Sequence, residues 1–433
     1  MYIKNLTIAN IRVIEAFEMR FPEPAGWHVI IGDNGAGKSS LIRAIALGLI
    51  GPHEVKAARP VFADWLRQGA TEGKVKLVVI KDTDYDGHKG QKRPTKQDIT
   101  AEITLQRADG SGGLVEVKGN DNTKPSPAEH IWSDARGWFS AGFGPFRRFT
   151  GGTKDWDRVY LSSPRCGAHL SVFGEDVALT EALMWLQELD YRRLKSQEVS
   201  NSTSPNEGQL ATELQAFINE TGLLSHGTHF EAMTADGPTF RDGNGNVVPV
   251  TQLSDGFRSI LSLTFELIRQ LVRTYRQEEV FPLGGARATI NLPGVVLIDE
   301  IDAHLHPTWQ TRIGEWFTRC FPQMQFIVTT HSPLVCRGAT KGSIWRLAAP
   351  GSGQKSGEVT GTEKHRLILG NILDAYGTEL FGQDVARSAE ATRQVQEMAQ
   401  LSAKKSVGKL GPGEAQRLIG LRNVFTTDDP TEY

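Results

Sequence analysis

This chain is poor in cysteine, in net charge and in long apolar runs, and each shortage closes off a class of protein. Its three cysteines, Cys166, Cys320 and Cys336, lie far apart and form no CxxC pair. Neither a disulfide frame nor a zinc site is therefore expected, and free thiols suit a reducing cytosol. The 48 basic residues are matched by 50 acidic ones. That balance leaves no chain-wide positive field for nucleic acid and no acidic tail, although a local basic patch remains open. No run reaches the roughly 18 apolar residues of a membrane span. The N-terminus, MYIKNLTIANIRVIEAFEMRF, alternates apolar and polar residues and does not have the layout of a signal peptide. Heptads long enough for a coiled coil are missing, as are repeats at solenoid periods. The expectation is a soluble, cytoplasmic protein with no membrane partner.

What is present reads as alternating strands and helices. A length of 433 residues allows two or three packed units at about 150 residues each. Ile3, Leu6 and Ile8, then Ile11, Val13 and Phe17, predict two strands over 2–21. WHVIIG predicts a short buried strand entering a glycine-rich turn, and Leu41, Ile42, Ile45 and Leu49 follow at helical spacing. KVKLVVI and AEITLQR predict strands either side of the polar stretch KDTDYDGHKGQKRPTKQD. Helices are expected over 176–195 and 208–222, a hairpin at FRDGNGNVVPV, and a long helix from about Arg258 to Gln277. GVVLID and QFIVTT are further strands. A Gly/Ser loop over 350–362 then leads to a helical tail containing Lys404, Lys405, Lys409, Arg417 and Arg422.

Four short stretches carry chemistry. GDNGAGKS, Gly32 to Ser39, fits G-x-x-x-x-G-K-[ST] with a strand before it and a helix after it. Gly32, Asn34, Gly35 and Gly37 shape the loop, and Lys38, Ser39 and Ser40 open the helix. Backbone N–H groups of such a loop turn inward around the β-phosphate, where the helix N-terminus adds partial positive charge. Lys38 is expected at the β/γ-phosphates and the Ser39 hydroxyl on Mg2+, which makes ATP with Mg2+ the expected cofactor. VVLIDE puts two carboxylates after a buried strand. Asp299 is placed to serve the Mg2+ and Glu300 to act as general base on the attacking water. Taken alone, this pair reads as an acidic turn. VTTHSP puts His331 after another buried strand, where an imidazole could meet the γ-phosphate or the water, although a lone histidine there is more often structural. QLSDGFRS puts Ser254 and Gly256 before a helix. By itself that is an N-cap. As a second phosphate-sized nest it is redundant within one chain, and it makes sense if it closes over ATP held by another copy.

Taken in order, Gly32–Ser39, Leu253–Gly256, Asp299–Glu300 and His331 resemble the heads of ATP-binding-cassette ATPases, most closely the RecF/RecN/SMC-like branch. The resemblance covers roughly residues 1–346. It implies an α/β P-loop head, a mixed sheet around a Walker A helix, with a helical insertion and a short helical C-terminal tail. The corresponding division is a first lobe with Walker A over 1–175, and the insertion and hairpin over 176–250. A second lobe with signature, Walker B, D-loop and switch histidine follows over 251–346, and the loop and tail over 347–433. It further implies a head-to-tail homodimer in which Ser254 and Gly256 act across the interface. Asp302 in IDAHLHP links the two sites, and Arg12 lies near the nucleotide. For Arg12, an exposed strand arginine is the commoner reading. No clear Q-loop glutamine is present: Gln68 comes too early, and FGPFRRFTGG stands in its place, so that Arg147 and Arg148 become candidates for nucleotide or interdomain contacts.

YLSSP, MWLQELDYRRL, LSDGFRS and IDEIDAHLHPTWQ look like stand-alone bacterial phage-defence ATPases, among them Septu- and PARIS-type subunits. Such ATPases work beside a separate effector, a nuclease or toxin. A Toprim nuclease needs a long C-terminal domain with a DxD, whereas about ninety residues without one follow SIWRL. Three functions stay open: a switch controlling an effector, a slow nucleotide-gated scaffold holding a toxic partner, and a RecF-like repair ATPase. A transporter half is disfavoured by the strand-rich lobe at 70–175, and an AAA+ ring by LSDG and the late histidine. Double-stranded DNA binding would draw on Lys74, Lys76, Lys89, Lys92 and Arg93 and on Arg192, Arg193 and Lys195.

Overall fold

Three of the most continuously apolar runs become neighbouring strands of one sheet. β3 (Gly26–Ile31), β11 (Gly294–Ile298) and β12 (Met324–Thr329) are buried at every residue, as strands covered on both faces must be. With β7 (Ser140–Phe143), β13 (Ile344–Arg346) and β14 (Gly357–Val359) they form a six-stranded sheet of order β14-β13-β3-β12-β11-β7. Its pairings are parallel except β13 with β14. The computed structural model describes residues 1–58, 60–86, 95–108, 115–132, 138–147, 159, 162–174, 180–198, 209–234, 237–282, 288–370 and 389–425. They divide between two units, Met1–Leu369 and Gly370–Tyr433.

A second, antiparallel sheet has the order β2-β1-β4-β5-β6, made of β1 (Tyr2–Ile11), β2 (Ile14–Arg20), β4 (Glu72–Ile80), β5 (Ile99–Arg107) and β6 (Val115–Gly119). The spacing of Ile3, Leu6 and Ile8 breaks strict alternation, and a register shift between Ile3 and Asn5 explains it. The extra residue resets the phase, so all three side chains face inward. Helix α1 (Lys38–Ile50) packs on strands of both sheets, and its Leu41, Ile45 and Leu49 join a core shared by the two. Gln325 ties the sheets directly. Ile3 N–H donates to its Oε1 at 2.7 Å, and its Nε2 donates to the Ile3 carbonyl at 2.9 Å.

Between β7 and the long helix lie α2 (Thr180–Glu198), α3 (Gln209–Glu220) and a three-stranded sheet of β8 (His229–Thr234), β9 (Gly237–Arg241) and β10 (Val247–Pro249). The β9–β10 pairing is the expected hairpin. The outer edge of β8 is covered by Asn219, which exchanges bonds with Phe230, and by Gln215, which donates to the Phe230 and Glu231 carbonyls. The long helix α4 runs Asp255–Thr274, a few residues earlier than its apolar spacing suggests, because Ser254 caps it. Residues 357–359, expected within a Gly/Ser loop, pair with β13 instead. Ladder bonds available at a sheet edge outweigh the local composition there. Helices α5 (Ile313–Cys320) and α6 (Gly361–Leu369) complete this unit. The second unit is a helix pair, α7 (Ala389–Ser406) and α8 (Pro412–Val424), around Met398, Leu401, Leu418 and Leu421. Arg417–Glu397 and Lys404–Glu414 pairs link the two helices.

Of the basic candidates, Lys89, Lys92, Arg93 and Arg148 lie outside the described residues. Lys74 pairs with Glu72, Arg192 with Glu188 and Arg193 with Asp190. Among the described residues no helix is long and apolar enough to cross a membrane.

Gln325→Leu leaves the Ile3 N–H and carbonyl unpaired in the core, at roughly 1–3 kcal/mol per orphaned group. The expected loss is about 2–4 kcal/mol, read as a lower urea midpoint with an unchanged slope.

Candidate functional site

The loop after β3 is shaped for close approach. Gly37 sits at the N-cap of α1 with φ +99°, and a Cβ there would lie 2.7 Å from Val13 Cγ2. Only glycine satisfies both the left-handed backbone and the contact. The first turn of α1 has neither an acidic residue nor a side-chain cap. Its N–H groups and partial positive charge are therefore free to meet an anion. Lys38 Nζ donates to the Gly32 carbonyl at 2.7 Å and the Asp33 carbonyl at 3.1 Å. Burial lowers the lysine pKa, and Glu300, Asp299, Asp302 and Asp33 oppose that shift.

A cleft of about 320 Å³ opens over this loop. Asn34, Gly35, Gly37, Lys38, Ser39 and Ser40 line it from below, Glu300 and His331 from the ends of neighbouring strands, and Arg12 and Val13 from the β1–β2 turn. Three stretches widely separated in sequence thus meet at the carboxyl edge of a parallel sheet, where ligands bind in open α/β folds. Arg12 is not a strand residue. It occupies the turn with φ +50°, its N–H donates to the Trp65 carbonyl at 2.8 Å, and its guanidinium lies 5.6 Å from the Trp65 ring centre.

One hydroxyl orders both carboxylate residues. Thr329 Oγ1 donates to Asp299 Oδ1 at 2.5 Å and accepts the Glu300 N–H at 2.8 Å. The next threonine does the same for the following turn. Thr330 Oγ1 donates to Asp302 Oδ1 at 2.6 Å, and the same oxygen accepts the His331 N–H at 3.3 Å. Asp299 is buried, whereas Glu300 is half-buried and faces the cleft. The two threonines stand in VTTHSP beside His331, but reading the motif for its histidine passed over them. Arg147 was a candidate for nucleotide or interdomain contacts; it does not line the cleft, and its bonds go to segments distant in sequence. It is buried beneath the Asp299–Ile301 backbone, with its side chain bonded to the carbonyls of Asp299 and Glu300 at 2.8 and 2.9 Å.

Ser254 and Gly256 are not brought to this cleft. Ser254 is exposed, and its Oγ accepts the Phe257 N–H at 3.5 Å as the cap of α4. Asp255 pairs with Arg258. Gly256 lies against the turn that follows Glu300, and a Cβ on it would stand 2.8 Å from the His304 carbonyl oxygen.

The donor set suits a nucleoside triphosphate with Mg2+. A lysine and the first N–H groups of a helix match polyphosphate, while the Ser39 hydroxyl and the Asp299 carboxylate are hard oxygen donors of the kind Mg2+ selects. Comparison with known proteins agrees at this level. Residues 5–134 match a family model described as "AAA domain", and residues 166–337 one described as "AAA domain, putative AbiEii toxin, Type IV TA system". The Septu protein PtuA of Bacillus mycoides is 25% identical over 350 residues, covering 79% of this chain and 40% of that protein. A second Septu protein PtuA, of Bacillus thuringiensis, is 31% identical over 27% of this chain and 28% of its own length. The Retron Ec83 probable ATPase of Escherichia coli is 43% identical over 26% of this chain and 19% of its own length. The chain therefore spans less than half the length of these curated relatives. Two segments of the chain thus match AAA-domain models, and the chain resembles a Septu protein over most of its own length.

Lys38→Ala removes the one cation that the helix start directs into the loop. Calorimetric titration with Mg-ATP is expected to show affinity at least a hundredfold weaker, about 3 kcal/mol.

Proposed function

We propose that this protein is an ATP-hydrolysing switch whose two copies pair head to tail around the nucleotide and control a separate effector, a nuclease or toxin, in defence against phage. The observation that carries this reading is a division of labour within one chain. The loop, Glu300 and His331 share a cleft, while Ser254 lies exposed outside it and Gly256, half-buried, packs against the His304 carbonyl. A helix cap whose serine is exposed is available to another copy's nucleotide. In this reading Gly32 to Ser40 and Arg12 hold ATP, and Ser39 and Asp299 serve Mg2+. Glu300 takes the proton of the attacking water, and His331 steadies the terminal phosphate. Similarity to the Septu and retron ATPases supports the defence setting.

A slow, nucleotide-gated scaffold is the second reading, and one surface favours it. Met184, Tyr191 and Leu194 are 49%, 66% and 47% exposed on one face of α2, an apolar stripe of the kind that meets another protein. A DNA-facing role draws less support, because three of its described basic candidates are already paired with carboxylates.

Glu300→Gln is expected to bind Mg-ATP, fail to hydrolyse it and accumulate as a dimer in size-exclusion light scattering; a strictly monomeric variant at saturating Mg-ATP counts against the pairing. Ser254→Arg puts bulk and charge where the other copy's phosphate arrives. Its monomer should bind ATP normally while steady-state turnover disappears, and normal turnover would reduce the turn to a helix cap.

A further inference from the structure

We propose that Arg147 is a positioning residue that ties helix α4 to the backbone turn carrying Glu300, so that engagement of Ser254 and Gly256 is transmitted to the catalytic carboxylate within the same chain. This inference rests on the switch reading above and concerns the regulation of that site.

Every donor of the guanidinium is used. Nε donates to Ser259 Oγ at 3.2 Å, one terminal nitrogen to the Gly144 and Asp299 carbonyls at 3.0 and 2.8 Å, and the other to the Glu300 and Ile301 carbonyls at 2.9 and 3.4 Å. Five N–H groups in a rigid fork thus join three chain segments: the loop after β7, the turn after β11, and α4. A lysine at this position would offer a compact ammonium on a flexible stem and could not span the same acceptors. Burial lowers the Arg147 pKa to about 10, against the pull of Asp299, Asp302 and Glu300, so the group stays cationic at neutral pH. Of the two contacts that FGPFRRFTGG suggested, to nucleotide or between domains, this is the second kind.

Each end of this link leads to something the chemistry needs. At one end, Glu300 adopts φ +48°, a left-handed conformation uncommon for a residue with a side chain. Such a backbone persists where its surroundings over-determine it. Thr329 holds the Glu300 N–H and Arg147 holds its carbonyl. The direction of the carboxylate into the cleft therefore depends on both. At the other end, Ser259 belongs to the helix that Ser254 caps, and a helix moves as a rod over such a short span. The close approach of Gly256 to the His304 carbonyl is a second contact between the start of α4 and the same turn. A shift of α4 as its cap meets a phosphate would be felt at Ser259 and passed through the fork to Glu300.

The test uses the full chain and the mild variant Ser259→Ala, which removes only the hydroxyl that accepts from Nε. The thermal midpoint and the KM for Mg-ATP should stay within error and within about twofold, while kcat falls tenfold or more. Ser259→Thr, which keeps a hydroxyl, should restore kcat. In a Glu300→Gln background Ser259→Ala should still accumulate as the ATP-bound dimer, because recognition persists and only transmission is lost. Arg147→Lys should repeat the fall in kcat. Normal kcat in Ser259→Ala overturns the coupling alone, as does a fall that tracks a lower thermal midpoint and is not restored by Ser259→Thr. Absence of turnover in the unaltered protein overturns the switch reading and the coupling with it.

Discussion

Parallel pairing of β3, β12 and β11 is the constraint on which the rest of the structure depends. Because the three strands run in the same direction and in register, Ile30, Thr329 and Ile298 end near one edge of the sheet. The residues just beyond those ends are the phosphate loop, His331 and the Asp299–Glu300 pair. Chain segments about three hundred positions apart thereby become neighbours without any local sequence relation between them. The three strands can be this apolar only because α1 and the antiparallel sheet cover one side, and Trp27, Phe317 and Phe326 pack against one another in the core. Burial on both faces fixes the strands' positions and therefore the positions of the groups at their ends.

The turns beyond the strand ends are held by short side chains rather than by further secondary structure. Thr329 serves Asp299 and Glu300, and Thr330 serves Asp302, which in turn accepts the His331 N–H. From beneath, Arg147 donates to four carbonyls, of which that of Glu300 also accepts the Ala303 N–H. The unusual backbone at Glu300 is kept in this way. The result places acidic side chains round a single lysine and leaves the helix N-terminus facing the open cleft. That arrangement of charge suits a polyanion bound with a divalent cation.

A good part of this was legible from residues alone. The glycine spacing of Gly32–Ser39, the apolar run before Asp299 and the one before His331 each encode their own strand and turn. The hairpin at 237–249 was announced by its Asp-Gly and Asn-Gly chemistry. Less visible were features that depend on partners distant in sequence. For Arg147 the sequence left nucleotide and interdomain contacts equally open, because an arginine after a strand carries no sign of burial. Only when α4 and the β11 turn are packed above it do its five acceptors exist. Thr329 and Thr330 passed unnoticed for the same reason, since a threonine reads as strand filler until a carboxylate is placed opposite it. The register shift near Ile3 and the pairing of residues 357–359 likewise depend on which strand lies alongside.

The sequence by itself determined the elements and their chemistry: where strands stop, where the anion-binding loop turns, and which side chains are available to polarise water or hold a cation. Those properties are local, set by periodicity, by glycine's backbone freedom and by the types of residue at strand ends. Tertiary structure alone decided which of them face one another. It brought Glu300 and His331 to the loop, left Ser254 exposed outside that cleft, and put Arg147 beneath the Asp299–Ile301 backbone. Such choices are made by the burial of apolar surface and by the need to satisfy every buried carbonyl and N–H, and both are sums over residues far apart in the chain.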